Sequence, residues 1–273
     1  MTDQRVAVVT GASSGIGATT AQHLADAGFL VYAAARRMDR LEQLRRPNLR
    51  PLALDITDEA SMTGAIDHVL TESGRVDALI NNAGYGSYGA VEDVPIDEAR
   101  RQFEVNLFGL ARLTQLVLPQ MRQRRAGRIV NVSSMGGKIA MPFGAWYHAT
   151  KYALEGFSDS LRQELAPFGI QVVVIEPGGI KTEWAGIAIG SGLRTSGDGP
   201  YAEGVHKLAT RVGGPLEQLG SDPAVVAKAI TRAVTAKRPR TRYAIGLGAK
   251  PATYARRVLP DQVIDAVLQL LLR

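Results

Sequence analysis

The chain has 273 residues, a length that suits one large α/β domain with a sizeable core. It contains no cysteine, which excludes disulfides, thiolate metal sites and cysteine nucleophiles, and its four histidines show no metal-ligand spacing. The net charge is +6, and basic residues cluster at 36–50 and at 237–242. Neither cluster has the interleaved aromatic residues of a nucleic-acid binder, so neither a metal nor a nucleic acid is expected.

Short apolar runs alternate with helical patterns along the chain. Strands are predicted, in chain order, at 6–9, 29–35, 51–54, 76–80, 128–132, 171–175 and 243–245. Helices are predicted at 15–27, at 38–46, after a capping Thr57, at 97–124, at 147–166 and at 259–273. This alternation predicts an α/β fold, in which a seven-stranded parallel sheet carries helices on both faces. Ligands of such sheets bind beyond the carboxyl ends of the strands.

The last third of the chain is less regular. Residues 183–220 are rich in glycine and are predicted to form a flexible substrate loop, followed by a C-terminal extension at 221–273. An amphipathic helix is expected in this extension, and packing onto the domain or a second subunit is favoured over a membrane surface. Its apolar positions are Val263, Ile264, Val267, Leu270 and Leu271. The N-terminus lacks signal-peptide organisation and no apolar run reaches ~18 residues, so a cytoplasmic location is expected.

A glycine-rich turn, Thr10-Gly11-Ala12-Ser13-Ser14-Gly15-Ile16-Gly17, separates the first strand from the first helix. Its spacing is Gly-x3-Gly-x-Gly rather than the Gly-x-Gly-x2-Gly of many dinucleotide folds, but the physical reason is the same. Glycines allow the backbone to approach a pyrophosphate at a helix N-terminus. The turn therefore predicts a dinucleotide site.

A tyrosine and a lysine lie one helical turn apart at Tyr147 and Lys151, and Ser134 lies thirteen residues upstream of the tyrosine. A phenol titrates near pH ~10, and an ammonium beside it is expected to lower that pKa. The pair by itself is a weak signal, because a tyrosine and a lysine at this helical spacing are usually a packed ring and a solvated amine. Its combination with the serine and the glycine turn favours acid–base chemistry.

These motifs make residues 5 to about 183 resemble the short-chain dehydrogenase/reductase family. The resemblance rests on the segments 10–17, 81–84 and 177–178, and on Asn106, Ser134, Tyr147, Lys151 and Thr182. It implies a single, doubly wound Rossmann-type domain over 1–273 and NAD(P)-dependent interconversion of an alcohol and a carbonyl. Tyr85-Gly86, Met141-Pro142-Phe143 and the C-terminal ending look like the 17β-hydroxysteroid and retinol dehydrogenase-like branch.

The resemblance implies four catalytic residues. Tyr147 corresponds to the proton donor or acceptor, and Lys151 to the lysine that lowers its pKa and holds the nicotinamide ribose. Ser134 corresponds to the residue that hydrogen-bonds the carbonyl oxygen and stabilises charge there. Asn106 matches the asparagine that anchors a water-linked proton relay.

The end of the second strand predicts the cofactor. NAD-binding folds place an acid there for the ribose 2′-hydroxyl, whereas this chain has Arg36 and Arg37. An arginine can bind a 2′-phosphate, so NADP(H) is preferred over NAD(H), with Arg36 and either Ser13 or Ser14 at the phosphate. Arg37 is free to point to solvent.

The resemblance assigns the other cofactor contacts along the same rim. They are Gly11, Gly15, Ile16, Gly17, Asp55, Ile56, Asn82, Ala83, Gly84, Tyr147, Lys151, Pro177, Gly178, Ile180 and Thr182. Asp55 is equally a candidate helix-capping acid, and the two roles are compatible.

Mostly apolar residues are predicted to surround the substrate, although any one of them is as readily a core or interface residue. They are Tyr85, Ser134, Met141, Phe143, Tyr147 and Trp184. The predicted function is reduction or oxidation of a hydrophobic ketone, aldehyde or secondary alcohol, resembling a steroid, retinoid or lipid. The alternative is a catalytically silent NADP(H)-binding regulatory protein. A homodimer or homotetramer is expected from the family.

Overall fold

Seven strands form one parallel sheet in the order β3-β2-β1-β4-β5-β6-β7. The computed structural model describes residues 4–270, except for the side chains of residues 216 and 217. The strands are β1 Val6–Thr10, β2 Leu30–Ala35, β3 Leu49–Ala53, β4 Ala78–Asn81, β5 Gly127–Val132, β6 Ile170–Pro177 and β7 Arg242–Ile245. The chain order reverses between β1 and β4, and such a switch point opens a crevice at the carboxyl ends of the strands. The predicted seven-stranded parallel sheet is confirmed.

Helices cover both faces of this sheet. They are α1 Gly15–Asp26, α2 Met38–Glu42, α3 Glu59–Ser73, α4 Ile96–Phe103, α5 Gly109–Arg124, α6 Ala145–Leu165, α7 Glu183–Ser196, α8 Ala202–Leu208, α9 Gly214–Leu219, α10 Pro223–Thr235, α11 Ala249–Val258 and α12 Asp261–Leu270. Buried residues of α1, α2 and α10 pack on one face, and those of α3, α5 and α6 on the other. Because both faces are covered, the strands consist of continuous apolar runs rather than an alternating pattern.

Local chemistry moves several predicted boundaries. The cap of α3 is Asp58, whose carboxylate accepts a hydrogen bond from the Ser61 backbone N–H at 2.6 Å, so the prediction of Thr57 as cap is wrong. Thr57 instead hydrogen-bonds Asp55 through its backbone and its hydroxyl. Pro51 lies inside β3 because this is an edge strand, where one side needs no ladder donor.

The long helix predicted at 97–124 is α4 and α5 joined by a π-helical turn at Glu104–Phe108. Asn106 lies in this turn and is buried. Directly after it, Gly109 packs against Ile56, where an added Cβ would lie 2.1 Å from the backbone oxygen. π-turns are common at functional sites, and this one directs Asn106 inward.

Residues 183–220 are not irregular as predicted but contain α7, α8, a π-helical turn at Ala209–Gly213 and α9. Thr182 caps α7, accepting a hydrogen bond from the Trp184 N–H at 3.4 Å. The glycines allow close packing between helices and other elements: an added Cβ at Gly204 would lie 2.6 Å from the Phe143 ring. Tertiary packing thus outweighs the low helix propensity of glycine.

The predicted C-terminal helix is present as α12, with Leu271 outside the described residues. Val263, Val267 and Leu270 are exposed and α12 has no buried residue among the described ones, so this helix is not buried against the domain; packing onto a second subunit stays a prediction. No helix among residues 4–270 is long and apolar enough to cross a membrane.

Candidate active site

A cleft of about 630 Å³ lies at the carboxyl ends of the strands, across the switch point between β1 and β4. Every residue predicted to contact the cofactor lines it, as do Ser134, Tyr85 and Trp184. The cleft therefore brings together the glycine turn, the end of β2 and the start of α6, which are far apart in the sequence. Strand order explains this, because β1, β4, β5 and β6 are neighbours and their carboxyl ends share one rim.

The glycine turn forms a cradle that side chains would fill. Gly11 and Gly15 have positive φ values of 65° and 52°, a conformation that favours glycine. A Cβ on Gly17 would lie 2.3 Å from the Gly11 carbonyl oxygen. The Thr10 hydroxyl connects the turn to the loop after β4, because it accepts hydrogen bonds from the backbone N–H groups of Asn82 and Ala83, both at 3.0 Å. The backbone is thus held close to the N-terminus of α1, which fits the pyrophosphate of a dinucleotide.

Tyr147 lies at the buried end of the cleft, only 6 % exposed. Burial raises the pKa of the phenol to about 12, and a hydrogen bond with Ser134 opposes this shift. The ring of Trp184 packs 4.9 Å from the ring of Tyr147 and covers it. The phenol is therefore a protonated group in an apolar surrounding, next to a serine hydroxyl.

Lys151 is also buried, one turn further along α6. Burial lowers the pKa of its ammonium to about 8, while the Glu155 carboxylate raises it. The ammonium donates a hydrogen bond to the Val132 carbonyl at 2.9 Å and lies 5.9 Å from the centre of the Tyr147 ring. The sequence predicted that Lys151 would lower the pKa of Tyr147; in this structure the pKa is raised, because the loss of water around the phenol dominates.

Asn106 lies behind the cleft rather than in its wall. Its side chain accepts a hydrogen bond from the Tyr85 N–H at 3.0 Å and donates to the Tyr85 carbonyl at 2.9 Å. It also donates to the Thr150 hydroxyl at 3.1 Å. Asn106 therefore joins the loop after β4 to α6 at Thr150, the residue directly before Lys151.

The two arginines after β2 occupy different places. Arg36 lines the cleft near Asp55. Arg37 does not simply point to solvent, because its guanidinium donates to the hydroxyls of Ser13 and Ser14 at 2.9 and 3.0 Å. The hydroxyls of the glycine turn thus meet Arg37, whereas the sequence had grouped them with Arg36. The reason is the parallel register of β1 and β2, which places both strand ends side by side.

Asp55 does not have the helix-capping role that the sequence left open, because Asp58 caps α3. It lines the cleft, and its carboxylate accepts a hydrogen bond from the Thr57 N–H at 2.9 Å. This backbone bond lowers the pKa of Asp55, with a further contribution from the charges of Arg36 and Arg101. A cationic rim therefore surrounds this end of the cleft.

The predicted substrate residues separate into two groups. Tyr85, Ser134, Tyr147 and Trp184 line the cleft, whereas Met141 and Phe143 do not and instead pack beside an apolar cluster around Tyr88 and Tyr147. Their segment has a tight turn, in which Phe143 has a φ of 64°.

Sequence reasoning missed the residue that holds this segment. His148 accepts a hydrogen bond from the Met141 N–H at 2.9 Å through Nε2, which leaves Nδ1 to donate to the Gly136 carbonyl at 2.9 Å. Burial lowers the pKa of this imidazole, consistent with a neutral ring. Its position directly after Tyr147 was the available signal, but the partners became visible only in the fold.

Glu155, four residues after Lys151, was also missed. Its carboxylate is buried and accepts hydrogen bonds from Lys138 at 2.7 Å and from Arg242 at 3.0 Å. The helical spacing from Lys151 was visible in the sequence, whereas the contact with β7 was not. Glu155 thus connects Lys151 to an ion cluster under the cleft.

Comparisons with known proteins show the family to which this fold belongs. A model of the short chain dehydrogenase family matches residues 5–188. A 3-ketodihydrosphingosine reductase from Bacteroides thetaiotaomicron is 34 % identical over 271 residues, covering 97 % of each chain. An NADPH-dependent 3-dehydrocapnine reductase from Ornithobacterium rhinotracheale is 34 % identical over 272 residues, covering 96 % of this chain and 95 % of that one.

Solved structures give the same result. A short-chain dehydrogenase from Streptomyces avermitilis superimposes with a TM-score of 0.83 at 38 % identity, over 98 % of this chain and 96 % of that one. A variant of the actinorhodin polyketide ketoreductase with NADPH superimposes with a TM-score of 0.72 at 31 % identity, over 85 % and 90 % of the two chains. The narrower 17β-hydroxysteroid and retinol dehydrogenase-like assignment stays a prediction. The chain belongs to the short-chain dehydrogenase/reductase family of oxidoreductases.

Proposed function

We propose that this protein is an NADP(H)-dependent reductase of a hydrophobic ketone or aldehyde, with Tyr147 as the proton donor. The observation that carries the proposal is the shared cleft, which brings together the side chains of Ser134 and Tyr147, the buried Lys151 and the glycine cradle. Arginines at the other end of this cleft suit a 2′-phosphate.

Ser134, Tyr147 and Lys151 have different roles in the proposed reaction. The nicotinamide, when bound, supplies the hydride for the carbonyl carbon. In the proposed reaction Ser134 donates a hydrogen bond to the carbonyl oxygen and Tyr147 transfers its proton to that oxygen. The ammonium of Lys151 supplies positive charge beside the phenolate that this transfer leaves.

The protonated phenol of Tyr147 in the free protein suits the first proton transfer of reduction. Burial raises the pKa of Tyr147 to about 12, so the phenol holds its proton at neutral pH and starts as the donor that reduction needs. Oxidation would require the phenolate as a base, which the apolar surrounding disfavours. Loss of the Lys151 charge, whose pKa is about 8, should slow reduction as the pH rises through that value.

The lining supports a lipophilic substrate. Trp184, Ile187 and Tyr85 form the wall near Tyr147, and the arginines of the cleft lie at the Asp55 end. A wall made mostly of aromatic and aliphatic side chains suits an alkyl chain rather than a phosphate or carboxylate. Two relatives are named as reductases of 3-ketodihydrosphingosine and 3-dehydrocapnine, which makes long-chain ketones the first class to test.

The test compares Tyr147→Phe with wild type in NADPH oxidation by a panel of long-chain ketones, steroids and short ketones. We expect turnover to fall at least ~100-fold, the usual scale for a lost proton donor, while the Kd for NADPH changes little. Tyr152→Phe is the matched control, because Tyr152 lies on the same helix and is partly exposed outside the cleft.

Two results would contradict the proposal. Wild-type protein that binds NADPH but reduces no carbonyl would favour the catalytically silent regulatory alternative. Full activity of Tyr147→Phe would remove Tyr147 as the donor.

A further inference from the structure

An acidic side chain crosses the cationic end of the cleft. Glu183, the first residue of α7, accepts a hydrogen bond from Arg40 at 2.7 Å and lies 3.5 Å from Arg37. Arg37 and Arg40 come from the segment after β2, more than 140 residues away in the chain. One carboxylate therefore joins the wall that carries the arginines to the helix that carries Trp184.

This carboxylate is charged at neutral pH. The hydrogen bond from Arg40 lowers the pKa of Glu183, and the charge of Arg37 adds to this effect. All three side chains remain between 40 % and 48 % exposed, so the contacts can exchange for others without opening the core.

The same guanidinium faces the glycine turn. Arg37 donates to Ser13 and Ser14 while its other edge faces Glu183. Arginine and serine hydroxyls next to the end of β2 are the donors that a 2′-phosphate would use. A phosphate placed there would meet the carboxylate of Glu183 as a like charge and a rival acceptor.

We propose that Glu183 is a specificity-determining residue, which competes with the cofactor 2′-phosphate for Arg37 and so limits the preference for NADP(H) over NAD(H). This inference rests on the proposed function, since it assumes a dinucleotide in the cleft. A cofactor with only a 2′-hydroxyl does not need to displace the carboxylate. The acid thus weakens the binding of one cofactor and leaves the other nearly unchanged.

The experiment measures the Kd of NADP⁺ and of NAD⁺ by isothermal titration calorimetry for wild type and Glu183→Gln. Exposed ion pairs contribute enough to change an affinity by about two- to fivefold. We expect Glu183→Gln to bind NADP⁺ about two- to fivefold more tightly, with the Kd of NAD⁺ changed by less. The difference should shrink as salt is raised from roughly 50 mM to 1 M, because these charges are screened.

Glu203→Gln is the matched control. Glu203 is an exposed acid paired with Lys207 on α8, it does not line the cleft, and its replacement changes the net charge by the same amount. Its Kd values should equal those of wild type.

The outcomes distinguish a failure of the proposed cofactor preference from a failure of the proposed role of Glu183. Wild type that binds NADP⁺ and NAD⁺ equally would contradict the proposed cofactor preference. Wild type that prefers NADP⁺, with an unchanged ratio of Kd values in Glu183→Gln, would overturn the role of Glu183 alone. Equal tightening of both cofactors would also overturn it, because Glu183 would then restrict entry to the cleft rather than selectivity.

Discussion

Replacing the buried Lys151 by methionine should make the folded protein more stable at neutral pH. Burial lowers the pKa of its ammonium from 10.5 to about 8, so the charged form is disfavoured in the folded state. A pKa change of one unit corresponds to about 1.4 kcal/mol, which gives a cost of about 3 kcal/mol at pH 7. Methionine has a similar length and carries no charge into this position.

The hydrogen bond of Lys151 offsets part of this gain. Its ammonium donates to the Val132 carbonyl at 2.9 Å, and leaving that acceptor unpaired costs about 1 to 2 kcal/mol. The expected net gain for Lys151→Met is therefore about 1 to 2 kcal/mol at pH 7. Activity should be lost in the same variant, because no ammonium remains beside Tyr147.

The pH dependence gives the sharper test. Since the folded-state pKa lies below the unfolded one, the cost in wild type falls as the pH rises between about 8 and 10.5. The cost of burying the Lys151 ammonium is still about 2 kcal/mol at pH 9. The gain in unfolding free energy of Lys151→Met should therefore shrink by about 1 kcal/mol between pH 7 and pH 9.

Urea unfolding of the cofactor-free protein, followed by circular dichroism at both pH values, measures these differences. Lys228→Met on α10 is the control, because Lys228 is exposed and its replacement should have little effect at either pH. A Lys151→Met variant less stable than wild type at pH 7, or an advantage that does not depend on pH, would refute the reasoning.

Three further changes probe the frame of the site. Gly17→Ala should abolish NADPH binding measured by calorimetry and lower Tm, because the added Cβ would lie 2.3 Å from the Gly11 oxygen. Gly64→Ala is the control and should be neutral or stabilising, because its Cβ would contact nothing within 4 Å. Normal NADPH binding by Gly17→Ala would contradict the role of the glycine turn as a cofactor cradle. Asn106→Ala should cost about 2 kcal/mol in urea unfolding and reduce turnover, because two hydrogen bonds to the backbone of Tyr85 are lost; unchanged stability would argue against this role. Glu155→Gln should move the alkaline loss of reductase activity to lower pH, because the carboxylate raises the pKa of the neighbouring lysine, and an unmoved pH profile would show that the two groups are not coupled.

The elements that carry the site follow from local sequence. Continuous apolar runs predict strands buried on both faces, and their alternation with helical patterns predicts a parallel sheet whose carboxyl ends share a rim. The spacing of Ser134, Tyr147 and Lys151 then places one serine and one helical pair at that rim. These features were predictable because each depends on residues near in sequence or on a general rule of sheet topology.

Long-range packing decided the rest. The glycines of 183–220 suggested an irregular segment, yet contacts such as that of Gly204 with Phe143 allow helices to pack there. The partner of Arg37 could not be read from the sequence either, since Glu183 is more than 140 residues away.

The sequence by itself determined the family and the sheet and indicated the groups proposed to react, because these depend on motif spacing and hydrophobic pattern. Only the tertiary structure decided how far the pKa values of those groups shift from their ordinary values. Tyr147 and Lys151 have pKa values of about 12 and 8 because both are buried together, and burial is a property of everything that packs around them. The sequence predicted that Lys151 would lower the pKa of Tyr147, whereas burial lowers the pKa of Lys151 itself.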